Sequence, residues 1–199
     1  MKKSVIAVVV TLLFIKIVIL NKPEITYGPG VSAPDMPEQE NIKGAAPFRF
    51  NGYILTPLAN FKIKAKVLSK ENYYLGREAD LSPVDLALGW GKMSDESVIE
   101  HFKISQSGRW YRWQTRNNSS PIPLAEVSLS SANMHMVPMD ADIESQLNAI
   151  PVGEVVELSG KLIRVDADDG WRWISSLRRD DTGSGACELM YVESVIYGF

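Results

Sequence analysis

Gly153-Glu154-Val155-Val156-Glu157-Leu158-Ser159-Gly160-Lys161-Leu162-Ile163-Arg164-Val165 decides how this chain folds. Aliphatic and β-branched residues dominate the run, so it reads as one long strand, and Gly160 marks a bend within it. Asp168-Asp169-Gly170 follows as a hairpin turn. Trp171-Arg172-Trp173-Ile174-Ser175-Ser176 is the return strand, and Cys187 to Val192 reads as the last strand. A long bent strand with an adjoining hairpin predicts a small, highly curved barrel.

The residues upstream lead into that block. Asp140 caps a helix that carries Ile143, Leu147 and Ile150 on one face, and Pro151 stops it. In Ser131-Ala132-Asn133-Met134-His135-Met136-Val137-Pro138, alternation puts Ala132, Met134 and Met136 on a core face. His135 then points away from the core or toward a cleft. Ile104 to Trp113 holds a turn at Ser107-Gly108 followed by an aromatic strand, with Trp110 and Trp113 on opposite faces. Ser94 reads as a helix N-cap, with Val98, Ile99 and Phe102 buried behind it. Glu78 to Gly91 reads as irregular, with a helical turn starting at Ser82-Pro83. Phe61, Ile63, Ala65 and Val67 alternate with Lys62, Lys64 and Lys66, which predicts a strand with one wet face.

The first fifth of the chain is different in kind. Met1-Lys2-Lys3 precedes Ser4 to Leu20, a run of 17 residues that is apolar except for Ser4, Thr11 and Lys16. That length suits a short membrane span. No small-x-small cleavage pattern follows the run, so an uncleaved signal anchor is expected rather than a removed signal. Lys2 and Lys3 then stay in the cytoplasm and the remainder lies outside. Residues 21–48 carry Pro23, Pro29, Pro34, Pro37 and Pro47 without apolar periodicity and read as an extended linker. The expected division is 1–20 anchor, 21–48 linker and 49–199 globular domain. The fold class is mainly β with short helices (α+β), a small curved OB-like barrel behind an N-terminal transmembrane helix.

Charge narrows the partners. The chain carries a net charge of −3, with residues 1–50 contributing +2 and the rest −5. A mildly acidic domain lacks the Lys/Arg excess that nucleic-acid binding requires. An envelope protein or a glycan is the expected partner, together with the membrane through residues 4–20.

Ser175 to Glu188 concentrates the reactive residues: Arg178, Arg179, Asp180, Asp181, Gly183, Gly185 and Cys187, the only cysteine. Thr182-Gly183-Ser184-Gly185 can present backbone N–H groups as a concave nest for a phosphate, a carboxylate or an acidic tail, with Arg178 and Arg179 adding charge. An ion pair between one of these arginines and Asp180 or Asp181 would instead tie the loop to the barrel. Arg109-Trp110-Tyr111-Arg112 could bind a sugar or an anion, whereas strand aromatics more often pack a core. The binding set is therefore Trp110, Arg112, His135, Arg178, Arg179, Asp180, Thr182, Gly183 and Gly185.

Cys187 with His135 as its base is the enzymatic alternative. Gly185-Ala186-Cys187-Glu188 lacks the preceding histidine and following arginine of extracytoplasmic cysteine transpeptidases, and a cysteine opening a strand is commonly a small buried residue. Asp166-Ala167-Asp168-Asp169-Gly170 is similar to the start of a calcium loop, but the position of the closing glutamate is Leu177. His101 and His135 have no ligand-like spacing. No metal or cofactor is expected.

Ile104–Trp113, Ser131–Pro138 and Ser175–Glu188 together resemble an uncharacterised family of bacterial membrane-anchored envelope proteins. The resemblance spans roughly residues 60–195. It implies a bacterial origin and a single domain, and it carries no assigned activity.

Overall fold

In the computed structural model, residues 25–181, 183 and 185–198 are described. The strands are β1 (Glu38–Asn41), β2 (Phe48–Phe50), β3 (Tyr53–Asn72), β4 (Val84–Gly89), β5 (Phe102–Ser107), β6 (Trp110–Thr115), β7 (Ser131–Pro138), β8 (Val155–Asp166), β9 (Arg172–Ile174) and β10 (Glu188–Tyr197). The helices are short: α1 (Arg77–Leu81), α2 (Glu96–Ile99), α3 (Leu124–Leu129) and α4 (Ala141–Ala149). The described chain is thus mainly β with four short helices, an α+β class.

Strand β3 organises the sheet. Of its 20 residues, Ile54 to Lys66 pair with β8 and Lys66 to Asn72 pair with β4, while β2 and β1 pair with Tyr53–Leu55 and Ala59–Lys62. From β4 the pairing runs to β7, then in parallel to β10, and antiparallel to β8, which returns to β3. Five strands therefore hydrogen-bond in a circuit, while β1, β2 and β9 attach at its margins. Hairpin β5–β6 forms a separate two-stranded sheet.

Gly160 lies where the backbones crowd. A Cβ there would stand 2.0 Å from the Tyr191 carbonyl oxygen, beside the bulge between Val192 and Ser194. The bend expected at this glycine is therefore a close approach of β8 to β10 that any side chain would block.

The circuit encloses the main core, built from Phe61, Ile63, Leu86, Leu88, Met134, Met136, Leu158, Leu162, Met190 and their neighbours. Full burial of each such side chain stabilises the fold by about 1.5–3 kcal/mol. Helix α4 adds Ile143 and Leu147, and Asp140 caps it by accepting from the Ile143 N–H at 2.9 Å, as the sequence predicts. A second cluster joins Leu55, Ile163, Val165 and Leu189 to Trp171 and Trp173, and a third joins Leu68, Met93, Phe102 and Val127 to Tyr111 and Trp113. Strands β4 and β7 are covered on both faces by these layers.

Several local expectations shift. Lys66 is not on a wet face: it is 4% exposed, and its Nζ donates to Glu96 at 2.7 Å and to the Gly153 carbonyl at 2.9 Å. Asp95, not Ser94, caps α2 by accepting from the Ser97 N–H. The helical turn near Ser82-Pro83 ends there instead of starting there, and Val84 to Gly89 form a wholly buried strand. A strand covered on both faces shows no alternation, which hid it.

Part of the expected linker is built into the domain. Glu38–Asn41 pair with β3, Ala33 is fully buried, and the Ile25 N–H donates to the Val152 carbonyl. Gly153 makes room for this segment, because a Cβ there would meet the Ile25 carbonyl oxygen at 1.9 Å. Residues 4–20, read as the membrane anchor, lie outside the described residues. Among the described residues no helix is long and apolar enough to cross a membrane.

Candidate functional site

The site begins at the tip of hairpin β5–β6. Ser107 pairs with Trp110, so the turn residues are Gly108 and Arg109. Both have positive φ, 57° and 69°. Two left-handed residues are what a tight hairpin of this twist requires, yet an arginine at the second pays a steric penalty that glycine or asparagine would avoid.

The contacts of the Arg109 side chain account for its place there. Its guanidinium donates to Asp85 Oδ1 at 2.5 Å and to the Ser82 carbonyl at 2.8 Å, and it stacks 3.7 Å from the centroid of Tyr73. Asp85 is fully buried in β4, directly across from His135 in β7. His135 Nδ1 lies 2.9 Å from Asp85 Oδ2 but off the line of an aligned hydrogen bond, so this is a close electrostatic contact. The other side of the His135 ring packs 4.8 Å from Trp173. Arg109 thus fastens the hairpin onto β4, β7 and β9.

Cys187 sits where the last loop enters β10. Its thiol donates to the Arg109 carbonyl at 3.9 Å and accepts from Asn133 Nδ2 at 3.7 Å. Burial pushes the thiol up to about 11, and the nearby Glu188, Asp85 and Asp181 carboxylates add to that, while the Asn133 contact opposes it. At neutral pH the sulfur therefore keeps its proton and is a poor nucleophile.

Two cavities meet at this point. The first, about 240 Å³, lies between β6, β7 and the segment from Arg178 to Glu188, with Trp90, Trp110, Tyr111 and Trp113 among its walls. The second, about 340 Å³, is bounded by Arg109, His135, Arg172 and Trp173. Trp110, Gly183 and Cys187 line both.

Three residues of the first cavity's lining carry buried side-chain atoms without hydrogen-bond partners among the described residues: Trp90 Nε1, Arg179 Nε and Glu188 Oε2. Trp90 is 2% exposed and Glu188 1%. Arg179 Nη1 is in ion-pair contact with Glu188 Oε1 without hydrogen-bond alignment, and Arg179 Nη2 donates to Gln39 at 3.3 Å. Burial pushes the Glu188 carboxyl up to about 8; the Arg179 charge opposes this and the Asp181 carboxylate adds to it. Each buried unpaired polar group costs about 1–3 kcal/mol; the aromatic walls and concave shape of the cavity make it a candidate binding site.

The residues singled out from sequence divide among these features. Trp110 is 43% exposed at the junction of the cavities. His135 lines the second cavity beside Cys187, with Nδ1 facing Asp85. Arg178 lines the first and is held in a two-bond ion pair with Asp180, both exposed, so this pair stays within the loop and does not tie it to the barrel. Gly183 and Gly185 line the second cavity with φ of 90° and 84°. Arg112 lies outside both linings, near Trp110 on the exposed side of β6. Thr182 lies outside the described residues. Two acids of the calcium-like stretch are taken by arginines: Asp166 by Arg164 and Arg172, Asp169 by Arg77.

Sequence reasoning missed Asp85, Tyr73, Trp90 and Glu188 as members of the site. An arginine directly after the turn glycine was the available signal for Arg109, since that position disfavours side chains. No family model, no curated protein and no solved structure matches this chain.

Proposed function

We propose that this chain is a membrane-anchored, extracytoplasmic binding or assembly module of the bacterial cell envelope, carried on a small OB-like barrel. The five-strand circuit with one parallel closure, β7 to β10, and a helix between β7 and β8 supports the barrel reading. The binding reading is carried by one observation: the two cavities share Trp110, Gly183 and Cys187 and lie open beneath the hairpin tip. A concave, aromatic-lined site with few convergent polar groups is the usual form of a binding site.

The partner is an envelope protein or glycan, met through Trp110, Arg178 and the loop that follows. The thiol-enzyme alternative, Cys187 with His135, has the two residues on one cavity. It is disfavoured because the thiol holds its proton firmly and donates it toward the Arg109 carbonyl.

The test is a photo-crosslinking residue placed at position 110 or 178 in the full chain, activated in intact envelopes. A discrete covalent adduct is expected from both positions, and none from position 74, the exposed Tyr74 on the loop after β3. Complementation of a deletion strain by Trp110→Ala and Arg178→Ala, with no adduct, would refute the binding surface. Loss of complementation by a folded Cys187→Ser variant would favour the enzyme.

A further inference from the structure

We propose that the solvent face of hairpin β5–β6 binds an acidic glycan, with Trp110 stacking on a sugar ring and Lys103 and Arg112 pairing with its carboxylates. This names the partner class of the binding module and rests on that reading.

Charge singles out the hairpin. Phe102 to Arg116 holds Lys103, Arg109, Arg112 and Arg116 and no acidic residue, in a chain whose net charge is −3. Arg109 is turned inward to Asp85. The other three have no acidic partner among the described residues: Arg112 rests 5.9 Å from the Trp110 ring centroid, and the Arg116 Nε–H donates to the Phe102 carbonyl at 3.1 Å. Many cations elsewhere are met by acids, such as Lys62 by Glu157, Lys161 by Glu193, Arg172 by Asp166 and Arg178 by Asp180. An exposed cluster of unpaired cations draws an anion, most strongly at low salt.

The strand register gathers these groups on one face. Lys103 lies opposite Gln114, Ser105 opposite Arg112 and Ser107 opposite Trp110. All six are exposed, whereas Ile104, Gln106, Tyr111 and Trp113 between them are half-buried. Residues two apart along a strand share a face, so the six form a single open surface. From Trp110 to Gln114 it runs about 13 Å, long enough for successive units of a chain. The Arg109 contacts with Asp85 and the Ser82 carbonyl hold this surface on a fixed support.

Side-chain chemistry favours a glycan over an acidic peptide. Trp110, 43% exposed, offers an apolar ring that the C–H face of a sugar can cover. Ser105, Ser107 and Gln114 both donate and accept, as sugar hydroxyls do. Lys103 and Arg112 only donate, and a carboxylate on the glycan supplies the charged acceptor they lack.

The test titrates oligogalacturonate, its methyl ester and poly-glutamate of matched length into the full chain in detergent at low salt, with calorimetric readout. Oligogalacturonate should bind about 10-fold or more tighter than either of the others. Lys103→Gln/Arg112→Gln should weaken it about 10-fold. Lys43→Gln/Arg49→Gln removes the same charge from exposed positions outside the hairpin and should leave it unchanged. Trp110→Ala should weaken it about 5-fold without changing the response to poly-glutamate. Every substituted position is exposed, so urea midpoints should stay at the parent value.

Poly-glutamate binding as tightly as oligogalacturonate would overturn the glycan and assign the face to an acidic peptide. Equal binding of the methyl ester would overturn the carboxylate pairing. Equal weakening by the two double variants, or no binding of any probe, would overturn the site. Each of these outcomes leaves the binding-module reading standing, whose own failure shows separately as absent envelope adducts at positions 110 and 178.

Discussion

Replacing Arg109 with alanine isolates the contact that holds the site together. The guanidinium is the cation beside Asp85, whose side chain has no solvent exposure, while that of Arg109 is 15% exposed. Its loss strands a buried carboxylate with only the misaligned His135 contact. Breaking a buried pair from one side costs about 3–5 kcal/mol. The left-handed backbone at 69° persists in the alanine variant and is relieved in Arg109→Gly, so the glycine variant should be about 1 kcal/mol less destabilised. Removing both charges in Asp85→Ala/Arg109→Ala leaves no orphaned ion, and the double variant should recover about 2 kcal/mol relative to the sum of the single losses. The assay is urea unfolding of the full chain followed by tryptophan emission, with the Trp173 environment reporting on the His135 side. An Arg109→Ala loss below about 1 kcal/mol, or strict additivity in the cycle, would show that solvent already satisfies Asp85 and that the hairpin is not fastened this way.

Three further outcomes are expected. Cys187 should react with iodoacetamide at pH 8 about 100-fold more slowly in the folded chain than in urea, since its thiol is raised from 9.0 to about 11; equal rates would place it in solvent. Glu188 is raised from 4.5 to about 8 by burial, so the folded chain binds its proton more tightly than the unfolded chain does. Its contribution to stability is complete below about pH 4.5 and is lost as pH rises through 8, a drop on the order of 5 kcal/mol that Glu188→Gln should abolish in urea midpoints measured across that range. Gly160→Ala should cost about 2–4 kcal/mol in the same assay, because its Cβ would meet the Tyr191 carbonyl oxygen at 2.0 Å, and a neutral result would mean that β8 and β10 do not approach as closely as this.

What could be read from the sequence follows how each segment is buried. Strand β8, helix α4 and the hairpin turn before β9 were legible because periodicity, an N-cap and Asp-Gly chemistry are local signals. Strand β4 was not, because Val84 to Gly89 lie between two core layers and carry no alternation, with Pro83 and the glycines that follow reading as irregular. The site was half legible for the same reason. Cys187, His135, Trp110 and the Arg178-Arg179 pair stood out as residue types. What they do is set by partners 24 to 140 residues away, such as Asp85 for Arg109 and Gln39 for Arg179. Lys66 shows the limit most directly. Its place in an alternating run put it in solvent, yet Glu96 and the Gly153 carbonyl draw it inward. Glu96 is correspondingly held at about 2: desolvation would raise it, but hydrogen bonds from Lys66, Thr26 and the Tyr27 N–H outweigh that. The same carboxylate accepts from Gly28, so this ion pair is also what seats the segment leading to the expected anchor. Residues 25–33 are thus held against the domain by Glu96, the Val152 carbonyl and the burial of Ala33.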